Sequence, residues 1–456
     1  MKFLNEILVN QNPYEGDLLN NRKAYGDALS RFIDKIVDDG CVICIDAKWG
    51  EGKTTFVKWW CDDLRKTHST VYFDAFKHDF NCEPFSAIMK TLYSQFSGAG
   101  KLSEKVINAL GKLISETIPS LLAFGAVAGA TLAFGPAGAA GATIATAGGK
   151  VLGDTIKDFL TKEEIHTLDK TIEEFREALE GITSELYLNG KKKLVFVVDE
   201  LDRCRPTFAV ETIEKVKHLF SVPGIIWILV MNREQLEKSI MHVYGTCDAG
   251  RYLNKFIHFY SPLPKSMNDS RYSKLPDHYY MLVNGLMAGV DFKIKTEEEL
   301  KTNIASLAAI ADLSIRETKK MINSIQLIFE KDTDYNSSFL IFAPFITLLK
   351  IAFFEMYDEI RAKSKSFQEH IKTSELLQKF ANHDEPIKWI PYYLMFALCK
   401  DDIEVKSLST IERAKELVEI SGDDFDRFVN QEKDFVKYAY QKIPRICNKL
   451  DLVEFE

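Results

Sequence analysis

The sequence predicts an α/β protein built on a parallel sheet and continued by an all-helical C-terminal region. Three observations predict it. Short, nearly continuous apolar segments alternate with helical ones over residues 17–264, a glycine-bearing turn joins the first such segment to a helix, and strand signal fades after about residue 270. With 456 residues, of which 46% are hydrophobic, the chain can bury a large core divided over two or three domains.

Taken in order, residues 22–38 carry Leu29, Phe32, Ile33 and Ile36 at helical spacing, and Gly40 ends that helix. CVICIDA (41–47) reads as a buried strand, followed by a turn and a helix over 52–66. Further strands are expected at 71–76, 194–200, 225–232 and 256–262. Their continuous apolar character predicts a sheet covered on both faces. Two prolines and small polar residues at 261–270 set a domain boundary, so 1–264 is read as one domain and 265–456 as a helical lid and C-terminal helical domain. Helices are expected there at 317–331 and 346–360.

A long insertion, at about 80–190, separates the second and third strands. Within it the 33 residues from Thr117 to Gly149 carry no charge and are dominated by Ala and Gly. Gly125 and Gly129 form a G-x-x-x-G pair suited to close helix packing, while Gly135-Pro136 interrupts the stretch midway. Two readings stay open: a segment that enters or touches a membrane, and a helical hairpin buried in the protein.

The net charge of -8 argues against gripping nucleic acid by overall charge, so nucleic acid is not indicated as a partner. Eight scattered cysteines lack the spacing of a disulfide framework, and the opening residues lack the apolar core of a secretory signal. Both fit a cytoplasmic location, at the inner face of the membrane if 117–149 engages it. Cys41 and Cys44, three apart on a strand, point to opposite faces and are read as core residues rather than metal ligands.

The chemistry begins at Ala47–Thr54, AKWGEGKT, which matches the phosphate-binding P-loop pattern except for Ala47 in place of the first glycine. Following a strand and opening a helix, Trp49, Gly50, Glu51, Gly52, Lys53, Thr54 and Thr55 can surround a nucleotide's phosphates with backbone N–H groups. Lys53 is expected to reach the β- and γ-phosphate oxygens and the Thr54 hydroxyl to ligate Mg²⁺. An acid at a neighbouring strand tip should complete the metal site, and Asp199 supplies it. Glu200, next in sequence, is the candidate base for an attacking water. Asn232 ends another strand, where its amide can meet the γ-phosphate or that water. Arg203, Arg205, Arg251 and Arg316 are candidates for neutralising charge on the transferred phosphoryl group, and sequence does not choose among them.

These residues resemble the KAP family of P-loop NTPases, of the additional-strand, catalytic-glutamate type. The resemblance is carried by Trp49 within KWGEGKTT, by VYFDAFKHD (71–79) and by the DELDRC run from Asp199 to Cys204. DLLNNR (17–22), YLNK (252–255) and LSIRETKKMI (313–322) extend it over about 14–325. It implies ATP and Mg²⁺ as cofactors, Arg316 as a second sensor in a helical lid, Arg251 as a finger, and a hydrophobic insertion where 117–149 lies. It further implies self-association or a partner protein, and a role in phage defence or membrane-associated signalling. The leading expectation is an ATP-hydrolysing molecular switch; the alternative is a nucleotide-responsive scaffold or membrane-assembly platform with little hydrolysis.

Overall fold

The computed structural model describes chiefly residues 14–112, 162–265 and 277–362, with scattered positions at 374–394 and 443–451. The expected segment 117–149 lies outside the described residues. The chain divides into two compact units, one containing Arg22–Pro264 and the other Gly16–Asn21 with Lys265–Glu456.

Five parallel strands form the sheet of the first unit: β1 (Cys41–Asp46), β2 (Ser69–Asp74), β3 (Leu194–Asp199), β4 (Ile225–Met231) and β5 (Phe259–Pro262). Their spatial order is β2-β3-β4-β1-β5. β4 therefore stands between the strand that feeds the P-loop and the strand that ends in Asp199, which is the additional strand expected of this fold class. Helices α1 (Arg22–Lys35) and α2 (Lys53–Leu64) cover one face. The other carries α4 (Pro84–Ser97), α6 (Lys162–Leu188), α7 (Pro206–Leu219) and α8 (Arg233–Tyr244). Between them in sequence come the short α3 (Ala75–Asp79) and α5 (Glu104–Lys112), and α9 (Ala249–Leu253) precedes β5.

Strand alternation sorts the side chains onto two cores. Cys41, Ile43, Ile45, Val195, Val197, Ile226 and Ile228 pack with Phe56 and Trp60 under α1 and α2. Val42, Cys44, Phe196, Val198, Trp227 and Leu229 face the other layer. Cys41 and Cys44 thus fall in different cores, as their spacing predicted, and burial pushes both thiols above their ordinary value. Close packing of α1 on α2 requires Gly26, because a Cβ there would stand 2.8 Å from the Tyr14 hydroxyl and 3.1 Å from the Trp60 ring.

Several boundaries differ from the sequence reading. β2 begins two residues earlier than expected and stops at Asp74, whose carboxylate accepts from Lys77 N at 2.9 Å and caps α3. β5 starts at Phe259 rather than 256, because the N–H groups of Phe256 and Ile257 bond back to Leu253 O at the end of α9.

In the second unit, α10 (Asp277–Met287), α11 (Glu297–Ile310), α12 (Ile315–Ile325), α13 (Ser337–Ala352), α14 (Phe354–Ala362) and α15 (Glu375–Ala381) enclose a core of their own. α13 is apolar on nearly every side and buried from Leu340 to Leu349, so it is the helix the others wrap. The expected single helix over 346–360 is in fact two, broken where Phe353 leaves helical geometry at φ -136 and ψ 57. The helix expected over 317–331 runs instead from Ile315, set by its cap at Ser314, to Ile325.

Candidate nucleotide-binding site

All the strands run the same way, so their carboxyl ends share one edge of the sheet, where open α/β sheets receive ligands. Pairing aligns Asp74 with Asp199 on adjacent strands and Asp46 with Met231. β1 leads directly into the loop 47–52, whose Ala47 N–H continues the ladder to Met231 O at 3.2 Å. Gly50 (φ 87) and Gly52 (φ 82) adopt left-handed backbone, which turns the chain sharply enough to start α2 at Lys53. Ala47 is not among the positive-φ residues, so replacing the usual glycine there costs no backbone strain. The buried Arg22 braces the apex of the loop, donating to Glu51 O at 3.0 Å and to Pro264 O at 2.7 Å.

Lys53 opens α2 with its ammonium folded onto the loop, bonded to Ala47 O at 2.6 Å and Lys48 O at 3.2 Å. Burial lowers its pKa, while Asp202, Asp199 and Asp46 pull the other way and favour the charged form. One residue on, the Thr54 hydroxyl reaches Glu200 Oε1 at 3.4 Å and also hydrogen-bonds Asp199. The P-loop helix and the acidic strand tip therefore meet, across an intervening strand and 146 residues of sequence. Alternation explains why: Asp199 follows Val195 and Val197 onto the α1/α2 face, the face that carries Thr54.

Asp199 is 1% exposed, and burial pushes its carboxyl up to about 6, against hydrogen bonds from Tyr72, Thr54 and the Glu200 N–H that pull it down. Tyr72 on β2 donates to Oδ2 at 2.8 Å, and its own phenol is raised by burial and then by Asp199, which keeps it a neutral donor. Glu200 takes left-handed backbone (φ 60, ψ 27), uncommon for a residue with a Cβ, and starts a tight turn over Leu201–Arg203. Its carboxylate also pairs with Arg203 at 3.2 Å. Such local strain, on the order of 1–3 kcal/mol, persists only where the surroundings enforce it; here Leu201 is wholly buried beneath the turn.

A strand-fed P-loop whose helix meets an acidic strand tip beyond one extra strand is the geometry of a nucleotide-binding P-loop NTPase. The family model described as the KAP family P-loop domain matches residues 22–331, more than half of the chain. The chain belongs to the KAP family of P-loop NTPases. No curated protein matches it closely enough to add a named relative. Among solved structures it is similar to the Aeropyrum pernix ORC2 protein in its ADP form, at 11% identity and a TM-score of 0.35, covering 98% of this chain and 97% of that one. The same protein with ADPNP and ADP gives 12% identity and a TM-score of 0.34, covering 97% and 99%. Likenesses that faint add nothing to the family assignment.

Within this KAP NTPase, Trp49, Gly50, Glu51, Gly52, Lys53, Thr54 and Thr55 form one continuous loop and helix start, and Thr54 meets Asp199 and Glu200. Asn232 is buried at the tip of β4, where it begins α8 without capping it through its side chain. The arginines separate. Arg205 is committed to Asp79, bonding its carboxylate at 2.9 Å through both N–H and Nε and its carbonyl through Nη2. Arg203 holds Glu200, and Arg251 is 88% exposed beside Asp248 at 3.2 Å. Arg316 is exposed in the first turn of α12 and belongs to the second unit. Sequence reading missed the roles of Arg22, Tyr72 and Asp202. Their signals were an arginine at the start of a helix, a tyrosine among apolar strand residues and a third acid, each ordinary until the strands are paired.

Among the described residues no helix is long and apolar enough to cross a membrane. Nor does any group of three or more His, Cys, Asp or Glu side chains stand ready to hold a metal alone.

Proposed function

We propose that this chain is a Mg²⁺-dependent ATPase that works as a molecular switch. The observation that carries the reading is the meeting of Thr54 with Asp199 and Glu200 at the carboxyl edge of the sheet. An all-oxygen set of one hydroxyl and a buried carboxylate suits Mg²⁺, which binds through one or two protein ligands and otherwise through substrate phosphates and water. Asp199, raised to about 6 by burial, is a carboxylate whose charge a cation would favour. When bound, the ion would neutralise charge developing on the phosphates.

In this reading Lys53 leaves the Ala47 and Lys48 carbonyls for the phosphate oxygens, and the N–H groups of 50–54 surround them. Glu200 accepts the proton of the attacking water, and Asn232 orients that water. Arg251, exposed at the surface, is proposed to act on a neighbouring copy of the chain, and Arg316 to sense nucleotide from the helical unit. Lys53→Ala should weaken nucleotide binding by about 100-fold or more in calorimetry. Glu200→Gln should keep binding and slow phosphate release by about 100- to 1000-fold. Wild-type turnover in Glu200→Gln would remove the assigned base.

A second reading, a nucleotide-responsive scaffold that scarcely hydrolyses, is favoured by one feature: Glu200 is already engaged by Arg203 and Thr54. Phosphate release no faster than in Lys53→Ala, with nucleotide still bound by the wild type, would select it. Self-association is part of the switch reading, and nucleotide-dependent light scattering tests it. The setting in phage defence or membrane-associated signalling rests on family resemblance. Carbonate-resistant membrane pelleting with and without residues 117–149 tests its membrane half.

A further inference from the structure

Besides Thr54 and Glu200, a second pair joins the P-loop to the turn after β3. Trp49 Nε1 donates to Asp202 Oδ2 at 2.5 Å across 153 residues of sequence. The two partners differ in burial: Asp202 is 7% exposed and Trp49 45%. An indole that keeps so much of its surface in water is not retained chiefly for core packing, so its polar N–H sets its place. A hydrogen bond to a carboxylate is also among the stronger kinds. By contrast Thr54 to Glu200, at 3.4 Å, is long and holds the catalytic glutamate weakly.

Asp202 is the middle residue of the tight turn that Glu200 begins in left-handed backbone, so fixing Asp202 fixes the turn from which Glu200 projects. The same carboxylate is the foremost charge favouring the Lys53 ammonium. Its position therefore bears on both halves of the site. We infer that the Trp49–Asp202 hydrogen bond is a positioning contact that sets the P-loop against the Glu200 turn, making Asp202 a positioning residue for hydrolysis. This inference rests on the hydrolytic reading above.

The test is steady-state ATP hydrolysis by the full chain, with nucleotide affinity measured by calorimetry. Trp49→Phe, which keeps a ring and removes the donor, and Asp202→Ala should each lower kcat about tenfold and leave KM within about twofold. The double variant should be no slower than either single one, because both remove the same bond. Asp202→Asn, whose amide oxygen can still accept from the indole, should restore most of the loss. Retained nucleotide affinity shows that the loop is still folded. If Trp49→Phe does not fold, the contrast between Asp202→Ala and Asp202→Asn carries the test alone.

Independent losses that multiply in the double variant, or a change confined to KM, would overturn the inference. So would Asp202→Asn being as slow as Asp202→Ala, since charge on Lys53 rather than the bond would then be what matters. If Glu200→Gln stops turnover while Trp49→Phe and Asp202→Ala match the wild type, this inference alone falls. If the wild type releases no phosphate, the hydrolytic reading and the inference fall together.

Discussion

The two units bury their polar groups in different ways. In the sheet unit Arg22, Glu51, Lys53, Asp79, Asp199 and Asp202 are all buried, most of them near the carboxyl edge of the sheet. In the helical unit the buried polar residues among those described are Asn21, Asn303, Ser306, Ser314, Thr318, Ser338 and Thr347, none of which ionises. Burying charge is costly unless it is paired and hydrogen-bonded. The sheet unit therefore buries ionisable groups beside its P-loop edge, while the polar groups buried in the helical unit are neutral.

The sharpest way to break that contrast is to vary pH. Phe342 and Phe345 lie on the buried stretch of α13, and Phe345 meets Phe380 edge-on at 5.5 Å. Phe345→Ala should cost about 3–5 kcal/mol in denaturant unfolding of the helical unit, equally at pH 5 and pH 8. Asp199 should behave otherwise. Its carboxyl is raised from 3.8 to about 6, so the folded state holds a proton that the unfolded state has released. Stability from this group is fully present below about pH 4 and is lost as pH rises through about 6. Asp199→Asn removes the cost of ionising a buried group and should stabilise the ligand-free protein above pH 6 by about 3 kcal/mol, with little effect near pH 4. The same substitution should weaken Mg²⁺-dependent nucleotide binding. If Asp199→Asn destabilises at pH 8 without nucleotide, the edge is not a site of uncompensated charge.

That asymmetry also explains what the sequence made legible. The strands could be read because each is a continuous apolar run, and the loop at 47–54 because glycine, lysine and threonine at fixed spacing have few other uses. Asp199 and Glu200 were singled out because an acid pair ended such a run. Strand order was not readable from spacing, since nothing in Ile225–Met231 says that it inserts between β1 and β3; that came only with the family resemblance. The contacts of Asp202 and Tyr72 could not be read for the same reason: their partners are 153 and 127 residues away. Arg205 stood among four finger candidates because it follows the acidic run, and Asp79, also distant in sequence, claims it. Local pattern reveals elements, and only pairing reveals which side chains meet.

The smallest effect is expected where the helical unit uses polar groups for local order. Ser314 accepts from Glu317 N at 3.3 Å while its own N–H donates to Glu317 Oε2 at 2.8 Å, so each residue satisfies a donor that the start of α12 leaves open. Both groups lie within four residues of one another, and neither depends on the sheet unit. Ser314→Ala should cost about 1 kcal/mol in denaturant unfolding, and Ser314→Thr, which keeps the hydroxyl, no more than about half of that. Arg316 sits in this same first turn of α12, next to the capped start of the helix. If Arg316 senses nucleotide, Ser314→Ala should slow phosphate release by less than Arg316→Ala does, and Ser314→Thr should not slow it measurably. Equal turnover in Ser314→Ala and Arg316→Ala, both matching the wild type, would confine this turn to stability and leave nucleotide sensing to the sheet unit.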